Sequence, residues 1–230
     1  MKQMIRNIDS IKSEIQKACT KVRRDPSEVK LLAVSKTFSV ETIKAAYAAG
    51  QRLFGENRVQ ELCQKASLLP PDIEWHLIGT LQRNKVKDVV GKVALIHSVD
   101  SLPLAQEINK QALKRNLSVN ILLQVNIAEE ESKHGFALEE IAAKVKAMCQ
   151  LPGIKIRGLM TIAPFTENPE EVRLVFRQLK MLAESLEKMR LPEVQMQELS
   201  MGMSGDFGVA VEEGATLVRI GSRIFGTRDM

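Results

Sequence analysis

The sequence is poor in aromatic side chains. Phe, Trp and Tyr make up 4% of 230 residues, with a single Trp and a single Tyr. Stacking platforms for single-stranded nucleic acid need several exposed rings, so that class of partner is disfavoured. Cysteine is also scarce. Cys19, Cys63 and Cys149 are odd in number, far apart and without CxxC spacing, which argues against a disulfide framework and against a zinc site. No apolar run approaches the ~20 residues of a membrane helix. The N-terminal stretch MKQMIRNIDSIKSEIQ has neither a continuous apolar core nor a small-residue cleavage site. We therefore expect no signal peptide, no membrane anchor and a cytoplasmic protein. Glycine-rich phosphate motifs are missing as well: neither GxGxxG nor GxxxxGK followed by Ser or Thr occurs.

What is present fits a globular protein. The hydrophobic fraction of 44% and charged fraction of 27% suffice for a full core. The net charge of +5 is spread along the chain among acids, with no basic run. A nucleic acid partner is not expected from it; a mildly basic surface with a buried anion site explains the charge equally well.

Hydrophobic periodicity divides the chain. Ile8, Ile11, Ile15, Cys19 and Val22 recur at helical spacing, so residues 5–22 read as an amphipathic helix that Asp25-Pro26 ends. From there a strand–helix unit repeats. Strands are expected at Val29–Ser35, Arg52–Gly55, Ile73–Ile78, Val93–Val99, Val119–Ile127, Lys155–Ile162, Gln195–Ser200 and Thr216–Ile220. Helices are expected between them, among them Val40–Ala49, Gln82–Val90, Leu138–Met148 and Phe207–Glu213; Asn168-Pro169-Glu170-Glu171 is a strong helix start. The polar stretch Ala128–Phe136 reads as a loop. Eight alternations with short connections indicate a parallel α/β protein. The count matches a small (β/α)8 barrel, with an open doubly wound sheet as the other topology. No linker interrupts the pattern, so we read one domain over 1–230, with an N-terminal helix in 1–25 and the barrel in 29–230.

In the first strand, Leu31-Leu32-Ala33-Val34 is an unbroken apolar run that stops at Ser35 and Lys36. A lysine leaving such a strand is either a solvated cap or a partly desolvated amine that can attack carbonyls. In a barrel the C-terminal strand ends share one mouth. Those ends are Lys36, Asn57, His76, Ser98, Asn126, Thr161, Ser200 and Ser222. Carboxylates are nearly absent from this set, which disfavours a divalent metal site and a two-carboxylate glycosidase. The three histidines, His76, His97 and His134, share no metal spacing; His97 reads as a satisfied interior histidine and His76 as a candidate for the mouth.

Barrel proteins often bind phosphate at the loops after strands 7 and 8. Here those loops are Ser200–Gly208 and Gly221–Gly226, rich in Gly and Ser. Arg219 lies inside the last apolar strand; an inward charge there needs a ligand or an acid, and outward pairing on a helix is the alternative. A lysine amine and a phosphate cradle in one mouth suit a phosphorylated carbonyl compound held as a Schiff base: a sugar phosphate in an aldolase, or pyridoxal 5′-phosphate (PLP).

Six segments then resemble the pyridoxal phosphate homeostasis protein family, whose members look like the barrel domain of alanine racemase: LLAVSKTF, LFGENRVQE, WHLIGTLQRNK, GLMTIAPF, LSMGMSGDF and VRIGSRIFG. The resemblance covers nearly the whole chain in order. It implies that Lys36 carries PLP as a Schiff base and that Ser200, Ser204, Gly221 and Ser222 hold its phosphate. It also implies that Asn57 lies near the ring, Met160 lines the ring pocket and Arg219 faces the pyridine nitrogen. His76 joins this set as a cofactor-binding candidate. The implied role is intracellular vitamin B6 homeostasis without established turnover, with PLP-dependent apoenzymes as candidate recipients. A racemase-like enzyme is the alternative. Racemases of this type use a tyrosine from a second domain as the opposite base, whereas Tyr47 should pack or face solvent on an outer helix. With no second domain expected, we expect a monomer.

Overall fold

The computed structural model of the protein describes residues 2–128 and 134–226. Eight parallel strands close into a barrel in sequential order: β1 (Lys30–Val34), β2 (Leu53–Glu56), β3 (Glu74–Leu77), β4 (Leu95–Val99), β5 (Val119–Gln124), β6 (Ile154–Met160), β7 (Val194–Ser200) and β8 (Leu217–Ile220). Closure is made by β1 on β8, with Lys30 opposite Leu217 and Ala33 opposite Ile220. This is the expected (β/α)8 barrel, and the doubly wound alternative is set aside. In β1 every residue after Lys30 is buried, because a parallel strand is covered by the interior on one face and by helices on the other.

The outer layer comprises α2 (Val40–Ala48), α3 (Val59–Leu68), α4 (Val86–Val89), α5 (Leu102–Leu113), α6 (Ile141–Met148), α7 (Arg173–Glu187), α8 (Phe207–Glu212) and α9 (Ser222–Phe225); α1 (Lys2–Lys21) precedes the barrel. Helix α1 buries Ile8, Ile11, Ile15, Ala18 and Cys19 and packs on α8 and α9. Asn7 donates to the Ile224 carbonyl at 2.9 Å, and Glu14 pairs with Arg223. The extra helix thereby braces α9.

Several boundaries differ from expectation. Strands β3, β4 and β5 are shorter than expected, spanning Glu74–Leu77, Leu95–Val99 and Val119–Gln124. The Gln82–Val90 helix is a 3-10 turn at Arg83–Lys85 followed by the single turn of α4; no side chain caps it at Gln82. Helix α6 begins at Ile141 rather than Leu138. The Asn168-Pro169 start is a 3-10 turn that leads into α7, with the Asn168 side chain accepting from the Glu170 N–H. Of the expected Ala128–Phe136 loop, 129–133 lie outside the described residues.

The barrel interior is layered. A middle layer is apolar: Leu32, Leu95, Leu122, Met160 and Leu217, with Leu53 and Ile78 against it. The base is polar, where Lys30 pairs with Glu198. Close approach of β6 and β7 requires glycine at 158: its φ is +152°, and a Cβ would lie 1.8 Å from the Glu198 carbonyl oxygen.

Candidate functional site

At the C-terminal end of the barrel lies a cavity of about 830 Å³. One wall comes from the end of β1 with Val34, Lys36 and Phe38, and another from Asn57 after β2 and Ile78 after β3. The loop after β6 adds Ile162 to Thr166, and the loops after β7 and β8 add Met203, Ser204, Gly205, Asp206, Gly221 and Ser222. Arg219 of β8 also reaches the cavity. The structure thus brings Lys36, Asn57, Ser204, Arg219, Gly221 and Ser222 to one place.

The other expected site residues lie behind this wall. Ser200, fully buried at the end of β7, accepts from Arg219 Nη1 at 2.6 Å. Met160 packs in the apolar interior layer. His76 is buried inside the barrel, with Nδ1 2.8 Å from His97 Nε2. Of the remaining strand-end residues, Ser98 donates to the Gly79 carbonyl and Thr161 to the Val125 carbonyl, so both are spent on the barrel itself. Asn126 lines a neighbouring cavity that Asn57, Ile78 and Ile162 share.

The β7 and β8 loops meet through their hydroxyls: Ser222 Oγ donates to Ser204 Oγ at 3.1 Å. Gly202 makes the first loop possible. Its φ is +88°, and a Cβ there would sit 2.6 Å from Ala210 Cβ. Gly221 precedes the first turn of α9, whose amides have no preceding turn to bond and face outward as donors. Two hydroxyls, backbone donors and one guanidinium make a set suited to a phosphate and an aromatic acceptor.

Arg219 is buried and surrounded mainly by neutral partners. Nη2 donates to the Thr161 carbonyl at 2.9 Å. Burial pulls its pKa down to about 10, against the attraction of Asp206. Burial conversely pushes the Asp206 carboxyl up, with the Met203 N–H and Arg219 opposing.

Lys36 is held from behind by a buried ionic cluster. Lys65 of α3, 5% exposed, donates to the Ser35 carbonyl at 2.8 Å, to Glu56 Oε1 at 2.8 Å and to Glu61 Oε1 at 2.6 Å. Glu61 in turn accepts from the Thr37 N–H at 2.6 Å, and Ser35 donates to Glu56 at 2.7 Å. Both peptide neighbours of Lys36 are therefore pinned. Thr37 has φ +68°, an uncommon conformation for a β-branched residue that persists only where contacts enforce it. Sequence reasoning missed this cluster. Glu61 and Lys65 look like a solvated i,i+4 pair; the available signal was that Lys65 falls three residues after Leu62, on the same buried face as Val59.

Tyr47 lies away from the mouth. Its hydroxyl donates to Asp72 at 2.7 Å, and Arg52 stacks 3.7 Å from its ring centre. Among the described residues, no group of three or more His, Cys, Asp or Glu could hold a metal ion, and no helix is long and apolar enough to cross a membrane.

Comparison with known proteins defines the class first. Residues 7–229 match the sequence model for the alanine racemase N-terminal domain. An alanine racemase structure from Clostridium difficile 630 superimposes with a TM-score of 0.77 at 15% identity, over 100% of this chain and 58% of that one, a likeness of fold. The pyridoxal phosphate homeostasis protein of Aquifex aeolicus is 47% identical over 96% of both chains. The PipY protein of Synechococcus elongatus, solved with PLP bound, is 40% identical over 92% of this chain and 100% of that one, with a TM-score of 0.80. The chain belongs to the alanine racemase N-terminal domain family and, within it, to the pyridoxal phosphate homeostasis proteins.

Proposed function

We propose that this protein binds PLP reversibly on Lys36 and serves its homeostasis in the cytosol, storing the cofactor or passing it to recipient apoenzymes. One observation carries the reading: a single cavity gathers an amine at the end of β1, a guanidinium on β8, and paired hydroxyls with backbone donors on the loops after β7 and β8. The Lys36 amine would capture the aldehyde that PLP brings, with loss of one water. Ser204, Ser222 and the amides at Gly221 would hold the phosphate. Asn57 and Ile78 would bound the ring, and Arg219 would donate to its nitrogen. Ser200 supports Arg219 from behind, and Met160 supports the floor.

Arg219 also bears on turnover. An arginine keeps the ring nitrogen unprotonated, which makes the ring a weaker electron sink than a carboxylate partner would. The lone tyrosine, engaged with Asp72 on the outer ring, does not stand opposite Lys36. Both features favour holding over racemisation, in a protein we take to act as a monomer.

The test is the visible spectrum of PLP-loaded protein before and after borohydride. We expect an imine band that is lost on reduction, with the added mass on Lys36. A protein that takes up no PLP, or one trapped at another lysine, overturns the reading. Robust racemisation of an amino acid would refute the non-catalytic part alone.

A further inference from the structure

A continuous line of hydrogen bonds crosses the barrel from mouth to base. Arg219 Nη1 donates to Ser200 Oγ at 2.6 Å, and Ser200 Oγ lies 2.9 Å from His97 Nδ1. His97 Nε2 lies 2.8 Å from His76 Nδ1, and His76 Nε2 lies 3.3 Å from Glu74 Oε1. Four strands contribute: β8, β7, β4 and β3. The two histidines and Ser200 are buried, whereas the Glu74 side chain is 58% exposed at the base.

The charges at the two ends fix the direction of every link. A guanidinium only donates, so Ser200 Oγ accepts and its own hydrogen is free to go to His97. A carboxylate only accepts, and the contact with His76 holds the Glu74 carboxyl below its usual range, so His76 Nε2 must carry a proton. His97 is fully buried near the Arg219 cation, and burial above all keeps it neutral. With a single proton on each ring, both contacts of His97 are satisfied only if its proton sits on Nε2. The reverse tautomer would leave the bare His76 Nε2 facing a carboxylate.

We propose that Ser200, His97, His76 and Glu74 are positioning residues for Arg219, a one-way hydrogen-bonded chain that runs from the mouth to the opposite end of the barrel. With Nη1 committed to Ser200 and Nη2 to the Thr161 carbonyl, the guanidinium is held in one plane. In that position Arg219 also lines the cavity. The part of this inference that concerns PLP rests on the proposed function; the part that concerns the chain itself does not.

The experiment separates the two. The sequence contains only three histidines, so ¹⁵N-histidine labelling resolves their ring nitrogens in unloaded protein. We expect both His76 and His97 to carry their ring proton on Nε2, with the two Nδ1 atoms accepting. Glu74→Leu removes the terminal acceptor outside the cavity. It should mix the tautomers of His97, two links away, while Glu74→Gln, which still offers an acceptor, keeps them. In PLP-loaded protein, Glu74→Leu should release the cofactor about five-fold faster, as expected for loss of roughly one hydrogen bond, and Glu74→Gln should restore most of the difference. His97 protonated on Nδ1 in the wild type overturns the chain's direction. A Glu74→Leu variant with unchanged His97 signals overturns the chain. Intact His97 coupling with an unchanged release rate overturns its role toward Arg219. Failure of the wild type to load PLP refutes the proposed function and leaves the tautomer result standing.

Discussion

Replacing Lys65 with Met tests the ionic cluster behind Lys36. Lys65 neutralises Glu56, whose side chain is fully buried, and Glu61, whose side chain is 22% exposed. Without it, Glu56 keeps the Ser35 hydroxyl as a partner, while its Oε2 already has none among the described residues. Removing one member of a buried ion pair costs about 3–5 kcal/mol, because the other is stranded. For a chain of this length that corresponds to a melting temperature lower by about 6–20 °C. The loss should depend on pH in a defined sense. Burial already raises the Glu56 pKa, and the hydrogen bonds from Lys65 and Ser35 oppose it; the variant raises it further. Below the unfolded value, about 4.3, both states are protonated and the penalty vanishes. Above it the unfolded chain ionises first, so stability falls by up to about 1.4 kcal/mol per pH unit until the folded pKa is passed. Urea unfolding of wild type and variant at about pH 5 and about pH 7.5 should therefore show the larger deficit at the higher pH. Glu56→Gln combined with Lys65→Met should regain most of it, since no charge is then stranded. A deficit under about 1 kcal/mol at neutral pH, or one that does not change with pH, would refute the reasoning.

Three other changes give distinct outcomes. Gly79→Ala places a Cβ 2.4 Å from the Asn57 carbonyl oxygen and 2.7 Å from its Cα, so it must displace the β2–α3 loop. Overpacking of this kind costs about 1–3 kcal/mol, and PLP titration should show affinity reduced about ten-fold. Tyr47→Phe removes an exposed bond to Asp72; unfolding should register at most about 1 kcal/mol, and the imine band should be unchanged. A lost band would mean that Tyr47 serves the site after all. Phe165 lines the mouth at 95% exposure, so Phe165→Ser should alter stability by no more than about 0.5 kcal/mol, as read from the unfolding midpoint.

The parts of this architecture that local pattern can encode were legible in the chain. The apolar run of β1 and its stop at Lys36, the glycines after β7 and β8, and the eight-fold alternation all follow from periodicity and turn chemistry, which act over a few residues. The polar interior was not legible. His76, His97 and Ser200 are ordinary residues in three separate strands, and nothing in any one strand says that they touch. Their contact depends on stagger: His76 pairs laterally with Leu95, not with His97, so the rings meet on a diagonal that only the closed sheet creates. For the same reason, His76 and Ser200 could be read as mouth residues. Each sits at or near a strand end, but the strands are tilted, and their ends do not lie at one depth.

Closure of the sheet is therefore the step that makes a site. Lys36 follows β1 and the paired hydroxyls belong to the last two loops, so in an open eight-stranded sheet they would stand at opposite edges. The β1–β8 ladder, with Leu32 opposite Arg219 and Ala33 opposite Ile220, instead sets the amine beside the anion loops. Helix α1 holds α9 through Asn7 and Glu14. The barrel seam, α1 and the Glu56–Lys65 cluster thus converge on the same short arc of the mouth. Changes at any of the three should be felt as altered retention at Lys36, even though neither α1 nor the Glu56–Lys65 pair lines the cavity.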